Sequence, residues 1–310
     1  MRSLQAEEKY MINEVSSLDK RFKPISLDEI EIINDFIKKY PKENCDFNIC
    51  TLFTWGLYFK LEYAIFKERL ILFNPFYGYL LAPLGEEFTA QELFQINNCC
   101  EKIHKKVEIM VVSENYVNNT PDLSEFFTIY NDLDWNDYVY CLDSLVNLSG
   151  KKLAKKKNLI SQFMRQYTDW EIKKVENNDF DELMDFAYYW KSVHVEQNEY
   201  LEIEIEALKL ALKNWEYLPN EGIKLYVDKK LAAFAIWSPH TNDMATVHYE
   251  KYDPIIKGAG QVINHETSLL LIDRFKYVNR EQDMGLPGIR QAKRSYQPLR
   301  LVPFYRLKSK

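Results

Sequence analysis

Apolar positions along this chain follow two rhythms, one of three to four residues and one of two, and the rhythms alternate in blocks. The first helical block opens at Ser26, where Ser26 and Glu29 make a capping-box pattern: each side chain satisfies a free N–H at the helix start. Ile30, Ile33, Ile37 and Tyr40 then recur at helical spacing until Pro41. FKLEYAIF and RLILFN, separated by Lys67-Glu68, predict a hairpin, and YLLAP a third strand. Thr89 and Glu92 form a second capping box for a helix carrying Leu93, Ile96, Cys100 and Ile103, and VEIMVVS (107–113) predicts a buried strand. The later half repeats this order. Two helices carry Leu183, Phe186, Trp190 and Val193, then Ile205, Leu208, Leu212 and Trp215. IKLYVD and LAAFAIWS flank Lys229-Lys230 as a hairpin, and ATVHYEKYD is a third strand. KGAG leads into a helix beginning near Asn264; YVNREQD, a short helix after Pro287 and LRLVPFYRL close the chain.

Each half therefore reads helix, three strands, helix, strand. No residue-level repeat accompanies it, so the duplication rests on element order. That order is the core order of the GNAT acyltransferase fold. The expectation is an α+β protein of two tandem GNAT-like domains, each a mixed, mostly antiparallel sheet flanked by helices. The boundaries read as an N-terminal extension (1–25), a first domain (26–150), a basic connecting helix (151–168) and a second domain (169–310).

Composition narrows the function. With 310 residues and 46% hydrophobic content the chain can bury a sizeable core. Only 9 glycines argue against a dinucleotide-binding protein, and 15% aromatics call for a thick core or an apolar groove. A net charge of −6 means any site for a polyanion is local, and DNA is not an expected partner. Five cysteines, two adjacent and none in C-x-x-C, point to reduced thiols and a cytoplasmic setting. No run reaches the ~18 apolar residues of a membrane span. His104, His194, His240, His248 and His265 lack metal-ligand spacing, so each is expected to be structural, and no metal is expected.

Three segments carry candidate chemistry. Five of the seven residues 151–157 are lysine, and Lys151, Lys155, Lys157 and Asn158 offer a polar face to phosphates; a solvated linker helix is the competing reading. Lys257, Gly258 and Gly260 precede a helix, where close backbone approach and free N–H groups favour an anion; a plain strand–helix turn is the alternative. The tail from Tyr277 combines Asn279, Arg280, Glu281 and Asp283 with Arg290, Lys293 and Arg294, and has no acid after Asp283. Asp283 there either orients or deprotonates a substrate amine or belongs to an ion-pair cluster pinning the last helix.

NCDFNICTLFTWGLYF, PLG (83–85), YVYCLDSLVNLSGKKLAKKKNLISQF, HYEKYDPIIKGAGQVINHE and NREQDMGLPGIRQAKRSYQP resemble a largely uncharacterised bacterial family related to the C-terminal domain of phosphatidylglycerol lysyltransferase. The resemblance implies tandem GNAT-like domains, an architecture shared with the Fem peptidyltransferases, which use aminoacyl-tRNA. Lys293, Arg294, Pro298 and Tyr305 resemble the family's final basic motif. Lipid-modifying lysyltransferases normally carry a membrane-embedded domain that this sequence lacks, which puts lipid as acceptor in doubt.

Two functions follow. The first is an aminoacyl- or acyltransferase with aminoacyl-tRNA or acyl-coenzyme A as donor and a small-molecule amine or hydroxyl as acceptor. Glu250 and Asp283 are its candidate catalytic carboxylates. Lys257, Gly258, Gly260, Arg290, Lys293 and Arg294 would hold phosphate, and the 151–158 face tRNA. The second is a non-catalytic protein that binds a small ligand or a partner on the same duplicated fold.

Overall fold

A computed structural model describes residue 15 and residues 17–193 and 199–310. The first half runs β1 (Lys23–Pro24), α1 (Ile30–Lys39), β2 (Glu62–Phe66), β3 (Arg69–Asn74), β4 (Tyr79–Leu84), α2 (Ala90–Cys100), β5 (Glu108–Val112), β6 (Phe127–Asn131) and β7 (Asp137–Cys141). The second runs α3 (Ala154–Gln166), β8 (Trp170–Lys174), α4 (Phe180–Val193), α5 (Glu199–Lys213), β9 (Glu221–Val227), β10 (Lys230–Thr241), β11 (Met244–Tyr252), α6 (Ala259–Leu271), β12 (Tyr277–Asn279), α7 (Pro287–Arg294), β13 (Arg300–Val302) and β14 (Tyr305–Ser309). Both capping boxes form: Ser26 N–H donates to Glu29 (2.9 Å) and Thr89 N–H to Glu92 (3.0 Å).

Two seven-stranded sheets result, ordered β1-β2-β3-β4-β5-β14-β6 and β13-β7-β12-β11-β10-β9-β8. The chain does not divide between them at residue 150. β7 crosses from the first half into the second sheet, and β14 crosses from the end of the chain into the first. Buried side chains fasten the crossings: Phe304 N–H donates to Asn136 Oδ1 (2.8 Å) and Asn44 Nδ2 to Pro303 O (3.2 Å).

The β2–β3 hairpin turns on Lys67 and Glu68, both at positive φ. The β9–β10 hairpin turns on Asp228 and Lys229, one residue earlier than the lysine pair suggests. RLILFN is apolar throughout because both faces are covered. Ile71 and Phe73 pack toward Leu93, Ile96 and Leu307, while Leu70 and Leu72 pack toward Ile33, Ile37 and Phe53. The second sheet repeats this, with Leu225, Ala235 and Trp237 toward Val262 and Ile263, and Phe234 and Ile236 toward Leu208 and Leu212. All five cysteines are free, four of them buried.

If β14 completes the first core, Leu307→Ala should destabilise the full chain by about 2–5 kcal/mol in urea denaturation. Lys308→Ala, exposed on the same strand, should change it by less than about 0.5 kcal/mol.

Candidate active site

β11 and β12 run parallel but pair through only three residues, from Met244↔Tyr277 to Thr246↔Asn279. The next two residues form a bulge opposite β7: Arg280 N–H donates to Tyr138 O (2.9 Å), and Tyr138 N–H donates to Glu281 O (3.2 Å). Glu281 sits at φ +58, a conformation that a residue with a side chain seldom adopts. Past the bulge the strands are joined by side chains. His248 Nδ1 lies 2.9 Å from Glu281 Oε1, and Arg280 donates to Glu250 Oε1 at 2.6 Å.

The first sheet contains the same construction. β4 and β5 pair in parallel from Tyr79↔Glu108 to Leu81↔Met110, and Val111 sits at φ +60 where β14 shifts register. There, however, a cavity of only about 30 Å³ is lined by Ala82, Pro83, Phe88, Leu93 and Val112 together with Lys42, Glu86, Glu87, Ser113 and Tyr116. That volume is too small for a substrate.

The parting in the second sheet is bridged by polar side chains. Glu250 accepts from Arg280 and, through its other oxygen, from Asn264 Nδ2 (3.2 Å). The Arg280 guanidinium lies 5.8 Å from the Tyr140 ring centre and 5.4 Å from that of Tyr296. Lys156, from α3, places Nζ 4.2 Å from the same Tyr296 ring. Burial first, then Arg280 and Lys155, push the Lys156 ammonium below the ordinary lysine range. Lys156 makes no ion pair within 4 Å among the described residues, so the cluster has two cations and one carboxylate. It suits an anion, and Glu250 becomes available to an ammonium or a proton when Arg280 turns away.

The sequence profile of the phosphatidylglycerol lysyltransferase C-terminal region matches residues 37–308. The chain belongs to this family. A conserved protein of unknown function from Bacteroides thetaiotaomicron has a similar structure, with a TM-score of 0.85 at 29% identity over 93% of this chain and 99% of that one. The C-terminal domain of a putative lysylphosphatidylglycerol synthetase from Agrobacterium fabrum gives 0.65 at 14% identity over 91% and 92%. A tandem GNAT protein from the clavulanic acid biosynthesis pathway gives 0.50 at 8% over 93% and 98%. The fold is thus tandem GNAT-like. An uncharacterised protein of Mycoplasmoides gallisepticum is 26% identical over 177 residues, 56% of either chain. Among the described residues no helix is long and apolar enough to cross a membrane.

Within this family member the residues singled out from sequence separate into three groups. Lys151, Lys155, Lys157 and Asn158 are exposed, as are Lys257 and Arg294. Gly258 and Gly260 are buried and serve packing: a Cβ on Gly258 (φ +90) would meet Leu159 O at 2.8 Å, and one on Gly260 would meet the Tyr252 ring at 2.7 Å. The helix they open starts at Ala259, five residues before the expected Asn264, because the left-handed glycine is itself the cap. Asp283, Arg290 and Lys293 form a lock on α7. Asp283 accepts from Tyr138 Oη (2.5 Å), Gly285 N–H (2.9 Å) and both Arg290 Nε and NH2 (2.7 Å each), while Arg290 also reaches Asp134 (2.6 Å). Burial alone would raise the Asp283 carboxyl, but the hydrogen bonds from Arg290, Tyr138 and Gly285 hold it below its ordinary value. Lys293 Nζ donates to the carbonyls of Arg280 and Gln282 at 2.5 Å each, and burial lowers it to about 8. Only Glu250 of the expected residues lies in the charged opening.

Sequence reasoning passed over Lys156, Asn264 and Tyr296 as site residues. It also took every histidine as structural. His265 and His104 fit that reading, the one bonded to Val146 O (3.0 Å), the other packed on Gly78; His194 lies outside the described residues. His248 instead bridges Glu281 and Ser238 Oγ (2.8 Å). This row has the order of a Ser–His–acid triad, but Ser238 is fully buried, with Asn48 Oδ1 3.1 Å from its hydroxyl on the other side, so the hydroxyl is out of reach of a substrate. It ties the halves together.

Behind the bulge, Cys45, Asp46 and Asp137 bring one donor atom each within 4.8 Å of one another. They are the grouping among the described residues with metal-ligand chemistry. Their atoms already take hydrogen bonds from Cys45 N–H (2.6 Å) and Asn279 Nδ2 (2.8 Å) to Asp137, and from Gln282 to Cys45 Sγ (3.0 Å) and Asp46 (3.2 Å). Burial first, then the charge of Asp137 on Asp46 and of Glu281 on both, raises the carboxyls of Asp46 and Asp137, to about 8 and about 7, against the hydrogen bonds that Asp137 accepts. Between about pH 4, where such acids ionise in an unfolded chain, and these values, the folded state holds protons that the unfolded state has released.

Stability should therefore fall as pH rises from 5 to 8. Asp137→Asn, which mimics the protonated acid, should flatten that slope by up to about 1.4 kcal/mol per pH unit, read from urea midpoints across the range. Asp283→Asn should cost about 2–3 kcal/mol by the same measurement, because it weakens a buried bidentate pair.

Proposed function

We propose that this chain transfers an aminoacyl or acyl group from a phosphate-bearing donor to an amine or hydroxyl acceptor in the opening beside β11. The observation that carries the reading is the unequal charge at that place, two cations to one carboxylate, where the small cavity of its counterpart in the first sheet has one cation to two carboxylates. Family membership supports the reaction class. Lys156 and Arg280 hold a donor phosphate. As Arg280 turns to it, Glu250 is freed to take the proton that the acceptor nitrogen or oxygen loses on attacking the donor carbonyl. The new amide or ester forms as the bond from the carbonyl carbon to the donor oxygen or sulfur breaks, Glu250 returns the proton to that leaving atom, and the donor departs as the hydroxyl of uncharged tRNA or the thiol of coenzyme A. Asp283, Arg290 and Lys293 fix α7, and with it Tyr296. With aminoacyl-tRNA as donor, the exposed Lys151, Lys155, Lys157 and Asn158 contact its backbone, and Lys257 and Arg294, also exposed, are further candidates for its phosphates. With acyl-coenzyme A they stay solvated.

The full chain should bind one of two donors at micromolar concentration when titrated with acetyl-coenzyme A and with a pool of aminoacylated tRNA. Lys156→Met should weaken binding of that donor about tenfold, and Glu250→Gln should leave binding intact while slowing loss of the acyl group to an added amine. Weakening by Lys155→Met as well, with a shallower salt dependence, identifies tRNA. Binding of neither donor, or equal binding by Lys156→Met, defeats the proposal and favours a non-catalytic binding protein.

A further inference from the structure

The turn between β3 and β4 displays aromatic side chains on a rigid support. Asn74 is fully buried; its Oδ1 accepts from the N–H groups of Phe76 (3.0 Å) and Tyr77 (2.8 Å), its carbonyl from Gly78 (3.0 Å), and its Nδ2 donates to Phe59 O (2.8 Å). A turn pinned this firmly does not need large apolar side chains at its tip. Yet Phe76 is 73% exposed and Tyr77 53%. The two rings meet edge to face at 4.9 Å, and Tyr77 meets Phe59 at 5.4 Å, so the aromatics brace one another in a projecting ridge.

Two further features surround the ridge. His104 packs directly on Gly78, where a Cβ would lie 2.1 Å from its Nδ1. This sets the exposed Ile103, Lys105 and Lys106 beside the turn. On another side, Leu57, Leu61, Pro75 and Phe76 help line an open groove of about 520 Å³ in which the one acid, Glu62, whose carboxyl burial raises, is matched by Lys60. An acidic protein thus carries basic side chains around one of its most exposed apolar points.

We infer that this ridge docks the protein on an anionic bilayer surface. Phe76 and Tyr77 enter the interfacial zone, Lys105 and Lys106 meet the headgroup phosphates, and the groove beside Phe76 receives acyl-chain methylenes. Single-stranded nucleic acid also favours aromatics among cations. Here, though, the rings contact one another edge-on across a convex turn, and the neighbouring groove is walled by Leu57, Leu61 and Pro75, a lining for hydrocarbon rather than for bases. The inference is independent of the transferase reading, because no residue of the charged opening takes part.

The full chain should sediment with vesicles of phosphatidylcholine containing a minority of phosphatidylserine and remain in solution with phosphatidylcholine alone. Phe76→Ser with Tyr77→Ser, and separately Lys105→Glu with Lys106→Glu, should each lower the bound fraction at least about tenfold at low salt. All four side chains are exposed, and an unchanged urea midpoint shows that the fold survives. No sedimentation with anionic vesicles, equal binding to both vesicle types, or binding untouched by either double substitution overturns the inference. So does tighter binding to an oligouridine than to the vesicles.

Discussion

The exchange of one strand in each direction is the constraint on which the rest of this molecule depends. β7 pairs with β12 and β13 in the second sheet, while β14 pairs with β5 and β6 in the first. Neither sheet is complete from its own half of the chain. The ladder hydrogen bonds of each therefore hold the other half in place, and Leu307, nearly the last residue, fills the core of the earlier sheet. Asp137, Tyr138 and Tyr140 reach the later sheet because the first half ends there. Without that crossing the opening beside β11 would lose a wall: Tyr140 lies against Arg280, and Tyr138 holds Asp283.

The bulge follows from the same pairing. In each sheet a short strand runs parallel to one neighbour and antiparallel to the exchanged strand, and it gains an extra residue at positive φ where the parallel partner departs. Such backbone is costly for valine and for glutamate. Its retention at both places shows that the parting of the strands is a property of the fold. Occupancy then differs. The first gap leaves only a small cavity, whereas the second is spanned by His248–Glu281 and Glu250–Arg280.

The strands, the capping boxes and the duplicated order were legible in sequence because they rest on local periodicity and turn chemistry. The exchange was not. LRLVPFYRL reads as extended wherever it goes, and nothing local says that its last strand pairs with residues 108–112 and 127–131. The site was legible only in part for a related reason. Lysine density drew attention to residues 151–157, but density marks solvation, and the informative lysine is the one that faces inward. Helical phase held the signal: Lys156 lies on the side of Ile160 and Phe163, the apolar stripe, where a charged residue is out of place. For the tail cations the sequence left two readings open, a ligand site and an ion-pair cluster. Arg290 and Lys293 are basic residues in a chemically suggestive run, yet Asp283, Asp134 and two carbonyls already engage them.

Gly258 links these points. Its glycine character suggests close approach of a ligand to a helix N-terminus, but the atoms that come close are Leu159 O and Phe163 Cβ of α3. That contact sets α3 across the start of α6, and one turn before Leu159 the helix carries Lys156 toward Tyr296. The glycine thus acts on the site through packing. A cation brought there without a carboxylate of its own, partly desolvated and beside a second cation, is held against electrostatic repulsion by the helix contact, the Tyr296 ring and the Glu250 charge it shares with Arg280. On the proposed reading, the negative charge missing from this arrangement is the one the donor brings. Binding would then relieve a cost already built into the fold, and the same event would release Glu250 from Arg280 for the acceptor.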